Sequence, residues 1–440
     1  MPPGRRGRGV SLPLSLALYR AATTVLEPFT PLLLSRRAQA GKEDRARLHE
    51  RLGRPRIPRP PMGPSGRLVW LHGASVGESL SILPLVERLR AERPDVAVLV
   101  SSGTVTSAEL LARRLPAGAI HQFLPVDTPG GARRFLDHWR PDLAVFVESE
   151  LWPNLLLIAK ARGVKLALVS AKLSDKSYGG WRARPFAAFE LFSGFDLILA
   201  QDGRAAERLS SLGGTVAGEA DLKFGAAPLP VDAAALASLR VRLSDRPLLL
   251  AASTHPGEDE LVLAAWRALP AHGDDGRPRL VIVPRHPERG PVIADKALAA
   301  GATTCLRSRE PDDSAEVIVA DTLGELGLWY RLADLALVAG SLVEGIGGHN
   351  PLEPARLDCP IVSGPHVENW LTAYADLRDA DGVTFADASV LGARLADLLA
   401  RPEALKRQAA SARAFVARRD AEARTGLDRI LALLDAEARA

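Results

Sequence analysis

Short apolar runs alternate with amphipathic stretches along the first half of the chain. The runs lie at residues 68–72, 96–101, 143–148, 166–170 and 197–201. Strands of a parallel sheet are buried on both faces and therefore consist mostly of apolar residues, while the amphipathic stretches between them are typical of crossover helices. The pattern predicts a parallel α/β sheet.

A second series of apolar runs follows an Ala/Pro-rich break at residues 225–231. Its runs lie at residues 248–253, 280–284, 317–321, 335–340 and 361–364, and residues 402–440 are helical by propensity. We predict a membrane-attachment segment with its basic flank at 1–45 and two Rossmann-like domains at 46–228 and 229–440. Because open α/β sheets bind ligands at the carboxyl ends of their strands, we expect the two domains to face a central cleft.

Residues 10–34 are apolar and flanked by arginines, as membrane segments often are. Arg20, Glu27, Pro28 and Pro31 interrupt the stretch, so no run reaches the ~18–20 apolar residues of a confident spanning helix. Basic flanks suit a segment that lies in the membrane interface on anionic headgroups. We favour monotopic or signal-anchor attachment on the cytoplasmic side, with an ordinary docked helix and a true span as the alternatives.

Composition narrows the function classes. A hydrophobic fraction of 47% is ordinary for a globular protein, and 56 Lys and Arg against 52 Asp and Glu leave a net charge of only +4. So small an excess does not indicate a nucleic-acid partner. The two cysteines form no CxxC pair, which favours a reducing compartment.

The predicted loops of the first domain carry carboxylates. Ser75, Gly77 and Glu78 follow the first predicted strand, where Glu78 could serve as a base or merely complement a helix N-terminus. Glu148 ends the predicted strand at 143–148 and Glu150 follows it, where the two carboxylates could shift each other's pKa or act only in capping.

The predicted loops of the second domain carry groups that bind anions. Ser253, Thr254 and His255 precede a predicted helix, whose N-terminus can hold a phosphate. Arg285 and His286 follow the next strand and add a guanidinium suited to bidentate phosphate contact.

A glycine-rich stretch at residues 340–355 adds a predicted nucleotide-binding turn. Gly347 and Gly348 permit a tight loop, Asn350 can cap the next helix, and Glu353 can accept hydrogen bonds from both ribose hydroxyls. The chain lacks the GxGxxG fingerprint of NAD enzymes and the HExxH spacing of zinc sites. We predict neither a cofactor nor a metal.

Eight motifs in order resemble one family across nearly the whole chain. They are HGASVGES, ESELWPN, VSAKLSDKS, DLKFG, STHPGE, PRHPER, GSLVE with GGHNPLEPA, and GPHVEN. In this order they resemble the 3-deoxy-D-manno-octulosonic acid (Kdo) transferases of Gram-negative bacteria. The resemblance implies a GT-B fold, CMP-Kdo as donor, the tetraacyl lipid A precursor as acceptor, no required metal, and a place on the inner membrane in lipopolysaccharide synthesis.

The resemblance also implies roles for individual residues. Glu78 would be the general base, with Ser75, Gly77 and Glu150 in the sugar site, and Lys172 and Lys223 would meet the Kdo carboxylate or the phosphate. The nucleotide and its phosphate would contact Ser253, Thr254, His255, Arg285, His286, Gly347, Gly348 and Asn350, with Glu353 on the ribose.

Two other functions remain open at this stage. One is a GT-B transferase of the cell envelope that uses a UDP-sugar, since the predicted loops fit either nucleotide. The other is a nucleotide-sugar-binding protein without catalysis, against which the presence of both Glu78 and Glu353 argues.

Overall fold

The computed structural model describes residues 12–60, 66–225, 228–271, 276–309, 312 and 314–436. The chain divides into two units, the first comprising Met1–Ala226 with Arg419–Ala440, and the second Ala227–Arg418. Each unit is built on a parallel seven-stranded sheet, which confirms the predicted pair of Rossmann-like α/β domains.

The sheet of the first unit has the order β3-β2-β1-β4-β5-β6-β7. The direction of winding reverses between β1 and β4, which pair in parallel with Trp70 opposite Ala144. The strands are β1 (Leu68–His72), β2 (Ala97–Ser102), β3 (Ala119–Phe123), β4 (Leu143–Val147), β5 (Lys165–Ala171), β6 (Leu197–Ala200) and β7 (Val216–Glu219).

Alternate residues of the first sheet supply two apolar cores, one on each face. Trp70 of β1 packs in the cluster that contains Phe135, whereas its neighbour Leu71 packs in the cluster that contains Ile82. This two-sided burial explains why the strands contain so few polar residues. The helices of this unit that precede β7 are α1 (Leu14–Leu26), α2 (Thr30–Gln39), α3 (Leu48–Arg51), α4 (Val76–Glu92), α5 (Val105–Arg114), α6 (Pro129–Trp139), α7 (Pro153–Ala161), α8 (Asp175–Arg182), α9 (Pro185–Phe192) and α10 (Gly203–Ser211), with 3-10 turns at Glu27–Phe29 and Arg45–Arg47.

The sheet of the second unit has the order β10-β11-β9-β8-β12-β13-β14. Here the winding reverses between β8 and β12, and apolar clusters again form on both faces. The strands are β8 (Leu248–Thr254), β9 (Arg279–Pro284), β10 (Thr304–Leu306), β11 (Val317–Val319), β12 (Leu335–Val338), β13 (Ile361–Ser363) and β14 (Thr384–Phe385). The helices are α11 (Ala233–Arg242), α12 (Glu258–Arg267), α13 (Gly290–Ala299), α14 (Leu326–Leu332), α15 (Leu352–Ala355), α16 (Leu371–Asp379) and α17 (Leu391–Leu399), with 3-10 turns at Pro287–Arg289 and Glu368–Trp370, and they are followed by α18 (Pro402–Asp435).

The C-terminal helix departs from the predicted domain boundary. We assigned residues 229–440 to the second domain, but the part of α18 from Arg419 onward belongs to the first unit. Leu427, Ile430 and Leu434 are buried in a core of the first sheet, which fixes this part of the helix there. Helix propensity predicted the helix correctly, but it carries no information about which sheet the helix covers.

The N-terminal segment is helical and packs on the first unit. Leu16 and Leu34 are buried, and the Tyr19 hydroxyl donates a hydrogen bond of 3.0 Å to Asp127. The 3-10 turn between α1 and α2 begins at Glu27, whose carboxylate accepts from the backbone N–H of Gly130 in α6. Among the described residues, no helix is both long enough and apolar enough to cross a membrane.

Candidate active site

The first unit brings its polar loops together where β1 and β4 end. These neighbouring strands form the point at which the strand order reverses, and such a point leaves a crevice for ligands in doubly wound folds. The loop after β1 leads to Glu78, and the loop after β4 contains Glu148 and Glu150. The adjacency of β1 and β4 therefore places these predicted residues at one edge of the sheet.

Glu78 lies in the first turn of α4 and is held by its own loop. Its two carboxylate oxygens accept hydrogen bonds of 2.8 Å each, one from the backbone N–H of Ala74 and one from the hydroxyl of Ser75. Burial raises the pKa of Glu78 despite these two bonds, and the negative charges of Glu150 and Glu148 raise it further. A carboxylate with a raised pKa is a stronger base, so Glu78 is suited to proton abstraction.

Glu150 is held by aromatic and imidazole donors. Its Oε2 atom lies 2.9 Å from Trp152 Nε1 and 3.3 Å from Nε2 of the fully buried His72. The other ring nitrogen of His72 is 2.9 Å from the Ser101 hydroxyl. Burial alone would raise the pKa of Glu150, but the contacts with His72 and Trp152 hold this pKa below its usual value, so the charged form is favoured. His72 is an unpredicted member of the site.

The negative charge of Glu150 leads to a prediction about how kcat/KM depends on pH. Because Glu150 raises the pKa of Glu78, Glu150→Gln should lower that pKa and move the acidic limb of the kcat/KM profile to lower pH. The measurement is the pH at which the acidic limb reaches half of its plateau, which does not depend on the absolute rate of the variant. Glu87→Gln, at an exposed position of α4, should leave the limb unchanged, and an unmoved or rising limb in Glu150→Gln would contradict the assignment.

Lys172 and Lys223 meet at one carboxylate. Their Nζ atoms lie 2.8 Å and 3.2 Å from the two oxygens of Glu148, whose backbone φ is +59°. Left-handed backbone in a non-glycine residue costs about 1–2 kcal/mol and here aims the Glu148 side chain at both ammonium groups. The sequence predicted both lysines as site residues but gave Glu148 no contact with them.

The second unit has its own polar loops where β8 and β12 end. Glu258, at the start of α12, is fully buried, and its carboxylate accepts four backbone N–H groups. The donors are His255 at 3.0 Å, Gly340 at 2.8 Å, Ser341 at 3.0 Å and Leu342 at 3.0 Å. Glu258 thus ties the loop after β8 to the loop after β12, a role that the sequence did not reveal.

His255, Arg285 and His286 lie on the loops that follow β8 and β9. The backbone N–H of Arg285 donates to Thr254 at 3.0 Å, which holds the two loops together. The Thr254 hydroxyl is buried and has no hydrogen-bond partner, and Ser253 has a φ of +64°. Burial lowers the pKa of His255, and the positive charges nearby lower it further.

The glycine turn after β12 is compact. Gly347 and Gly348 have φ values of +89° and +77°, and a Cβ on Gly347 would lie 2.5 Å from Asn369. The N–H of Gly348 donates to Gly340 at 2.8 Å, so Gly348 shapes the turn while its amide is used internally. The Asn350 side chain accepts a hydrogen bond of 3.0 Å from the N–H of Leu352, the first residue of the next helix, although Pro351 rather than Asn350 occupies the cap position.

Glu353 lies in the short helix α15, close to Asn350. The Asn350 amide group is 3.4 Å from a Glu353 oxygen, and burial raises the pKa of this carboxylate. The second unit thereby brings the predicted nucleotide residues onto the loops after β8, β9 and β12. His349, whose ring contacts His255, is an addition to the predicted set.

Two doubly wound units with polar loops at the switch point of each sheet are the architecture of a GT-B glycosyltransferase. A solved glycosyltransferase from Rickettsia africae has the same fold, with a TM-score of 0.51 and 11% identity over 84% of this chain and 99% of that one. Residues 46–226 match the family model described as 3-deoxy-D-manno-octulosonic-acid transferase.

Curated relatives extend this match over nearly the whole chain. The 3-deoxy-D-manno-octulosonic acid transferase of Bordetella pertussis is 34% identical over 96% of this chain and 98% of its own. The probable mitochondrial 3-deoxy-D-manno-octulosonic acid transferase of Arabidopsis thaliana is 33% identical over 88% of this chain and 89% of its own. The chain belongs to the Kdo transferase family and is a glycosyltransferase, as its motifs predicted.

Proposed function

We propose that the protein transfers Kdo from CMP-Kdo to the tetraacyl lipid A precursor (lipid IVA) in the synthesis of the lipopolysaccharide inner core. The observation that carries the proposal is Glu78, a half-buried carboxylate with a raised pKa at the switch point of the first sheet. It occurs in a chain that matches Kdo transferases over nearly its full length.

Glu78 is the proposed general base. It takes the proton of an acceptor sugar hydroxyl, and the acceptor oxygen attacks the anomeric carbon of Kdo. The bond from that carbon to the phosphate oxygen breaks, and CMP leaves with the electron pair. One displacement of this kind inverts the anomeric centre, and its catalysis needs only a base on the acceptor side and charge stabilisation on the leaving side.

The second unit is the proposed donor site. Arg285 and His255 neutralise the phosphate as negative charge accumulates on it, and Glu353 accepts from the ribose hydroxyls. Ser253, Thr254 and His286 complete the proposed anion site beside them. The Glu258 clamp supports the proposal because it holds the loops after β8 and β12 in place before the donor binds.

Lys172 and Lys223 are the proposed contacts for the Kdo carboxylate or for a phosphate. In the free protein both ammonium groups pair with the single carboxylate of Glu148, which leaves one positive charge in excess to attract an anion. Ser75 and Gly77 lie beside Glu78 where the loop after β1 leads into α4 and are proposed to contact the substrate. Glu150 is proposed to shape the sugar site.

The nature of the nucleotide separates this proposal from a UDP-sugar transferase. Binding of CMP and UDP to the purified protein is measured by calorimetry, followed by transfer assays with CMP-Kdo and with UDP-sugars on the same lipid acceptor. We expect CMP to bind more tightly and CMP-Kdo alone to give product. Preferential binding of UDP together with transfer from a UDP-sugar would establish the alternative.

We further propose attachment to the cytoplasmic face of the inner membrane through α1 and α2. One side of this segment is buried on the first unit, whereas its outward apolar side chains are between 54% and 76% exposed. These side chains are Leu14, Leu18, Val25, Leu26, Phe29, Leu32 and Leu33, and Phe186 and Phe189 of the neighbouring α9 are exposed as well. An apolar surface of this kind beside arginines suits insertion among anionic headgroups.

Membrane binding should depend on this surface. The double substitution Val25→Ser and Phe29→Ser removes two exposed apolar side chains and should weaken partitioning onto phosphatidylglycerol vesicles at least tenfold. Sedimentation with vesicles measures the partition coefficient. Leu323→Ser, which removes an 83% exposed leucine from the second unit, is the matched control and should bind as the wild type does. Equal partitioning of the double variant would contradict the proposal.

A further inference from the structure

Two histidines of the second unit meet where the adjacent strands β8 and β12 end. The Nε2 atoms of His255 and His349 lie 2.9 Å apart. The ring centroids are 5.1 Å apart and the ring planes differ by only 15°. A short nitrogen–nitrogen distance combined with so wide a centroid separation means that the rings meet edge to edge, with one nitrogen of each directed at the other.

This contact limits how many protons the pair can hold. Two bare lone pairs would repel at this distance, and two N–H groups would clash, so one proton lies between the nitrogens. When both rings are neutral, one carries its proton on Nε2 and the other on Nδ1. The neutral pair thus holds two protons on its ring nitrogens. A third can bind to the free Nδ1 of the first ring, but a fourth would have to bind to the accepting Nε2 and would break the contact. The intact pair therefore has a charge of zero or plus one.

The surroundings favour the neutral pair when no ligand is bound. Burial lowers the pKa of His349 to about 4, and the positive charge of Arg285 contributes to this. Burial lowers the pKa of His255 as well. The carboxylate of Glu258 faces His255 but is engaged with four backbone N–H groups. The charged or titratable groups that act on the pair are Arg285, His286, Arg289 and Glu258.

The orientation of His349 decides where an added proton goes. A hydrogen bond to the backbone of Ser253 raises the pKa of His349, and because Nε2 faces His255, Nδ1 is the ring nitrogen left to donate it. With its proton on Nδ1, His349 accepts the Nε2–H of His255, and Nδ1 of His255 carries a lone pair. A phosphate could not accept a hydrogen bond from that lone pair, but it could accept one from Nδ1 after protonation.

We propose that the pair takes up one proton from solvent when a nucleotide phosphate binds, and that His349 is the positioning residue that makes this possible. The proton binds to Nδ1 of His255, which then donates to a phosphate oxygen, while His349 accepts from Nε2 and stabilises the resulting cation. The proton returns to solvent when the phosphate leaves. The inference rests on the proposed nucleotide site and extends it to His349.

Calorimetry with CMP tests the inference. CMP is titrated into the full-length protein at pH ~7.5, where its phosphate is already a dianion, in buffers of different ionisation enthalpy. The dependence of the observed heat on the buffer gives the number of protons exchanged. We expect net uptake of up to one proton per CMP bound and none with cytidine, which lacks the phosphate.

Variants separate the role of His349 from simple packing. His349→Phe keeps an aromatic ring but cannot accept the Nε2–H, so CMP should bind ~10-fold more weakly and with reduced proton uptake. His349→Gln offers an amide oxygen in its place and should restore most of the uptake, whereas His255→Asn should abolish it. His138→Phe, on α6 of the first unit, is the matched control and should behave as the wild type does.

The outcomes distinguish this inference from the proposed function. Wild-type binding of CMP without proton uptake, or undiminished uptake in His349→Phe, would overturn the inference and leave the donor assignment intact. If His349→Phe does not fold, the uptake of His349→Gln compared with His255→Asn decides the same question. Failure of the wild type to bind CMP at all would overturn both the inference and the donor assignment.

Discussion

Glu78→Gln should reduce kcat for Kdo transfer about a thousandfold, since general base catalysis commonly contributes ~10²–10⁴-fold. The amide has nearly the shape of the carboxylate and its oxygen can still accept one of the two hydrogen bonds from Ala74 and Ser75. It cannot accept the proton of the acceptor hydroxyl. Steady-state rates with saturating donor and acceptor measure the effect.

The control for this substitution is Glu87→Gln, at an exposed position of the same helix, which should keep the wild-type rate. Donor affinity provides a second check, because the proposed nucleotide site lies in the other unit. CMP should therefore bind to Glu78→Gln as it does to the wild type. A variant that folds normally, binds CMP and retains near wild-type turnover would rule out Glu78 as the base.

Glu258→Gln should destabilise the second unit by about 3 kcal/mol and weaken CMP binding. The Glu258 carboxylate is fully buried and accepts four backbone N–H groups from two loops. A glutamine would place its own NH₂ group against some of these donors, leaving buried N–H groups without partners. Chemical unfolding followed by circular dichroism measures the loss of stability, and calorimetry measures CMP affinity.

Glu260→Gln is the matched control for this second substitution. Glu260 lies two residues further along α12, is 55% exposed and pairs with Lys296 at 2.6 Å. Exposed ion pairs contribute about 0–1 kcal/mol, so the control should unfold nearly as the wild type does. Equal stability of the Glu258 and Glu260 variants would show that the clamp does not hold the loops.

The sequence predicted the central strands and the loops that follow them because buried parallel strands have a strong apolar signature. Glu78, Glu150, His255 and Glu353 were predicted as site residues in this way, and each lies just after a strand or at the start of a helix. The short or more polar strands escaped prediction. They are β3 with its His and Gln, the half-exposed β7, the three-residue β10 and the two-residue β14.

Contacts between distant loops could not be predicted from apolar patterns. Glu258 binds the backbone N–H groups of Gly340 and Ser341, and His255 meets His349, because β8 pairs with β12. The pairing order of strands depends on how the helices pack, which periodicity does not encode. For the same reason, the sequence pattern could not show that the end of α18 belongs to the first unit.

The central claim is that this chain transfers Kdo to a lipid A precursor. The most direct test incubates the detergent-solubilised protein with freshly generated CMP-Kdo and tetraacyl lipid A precursor, and weighs the lipid by mass spectrometry. We predict that the wild type increases the lipid mass by one or more Kdo residues and that Glu78→Gln leaves it almost unchanged. An unchanged lipid with the wild type, while a known Kdo transferase converts the same substrates, would contradict the account.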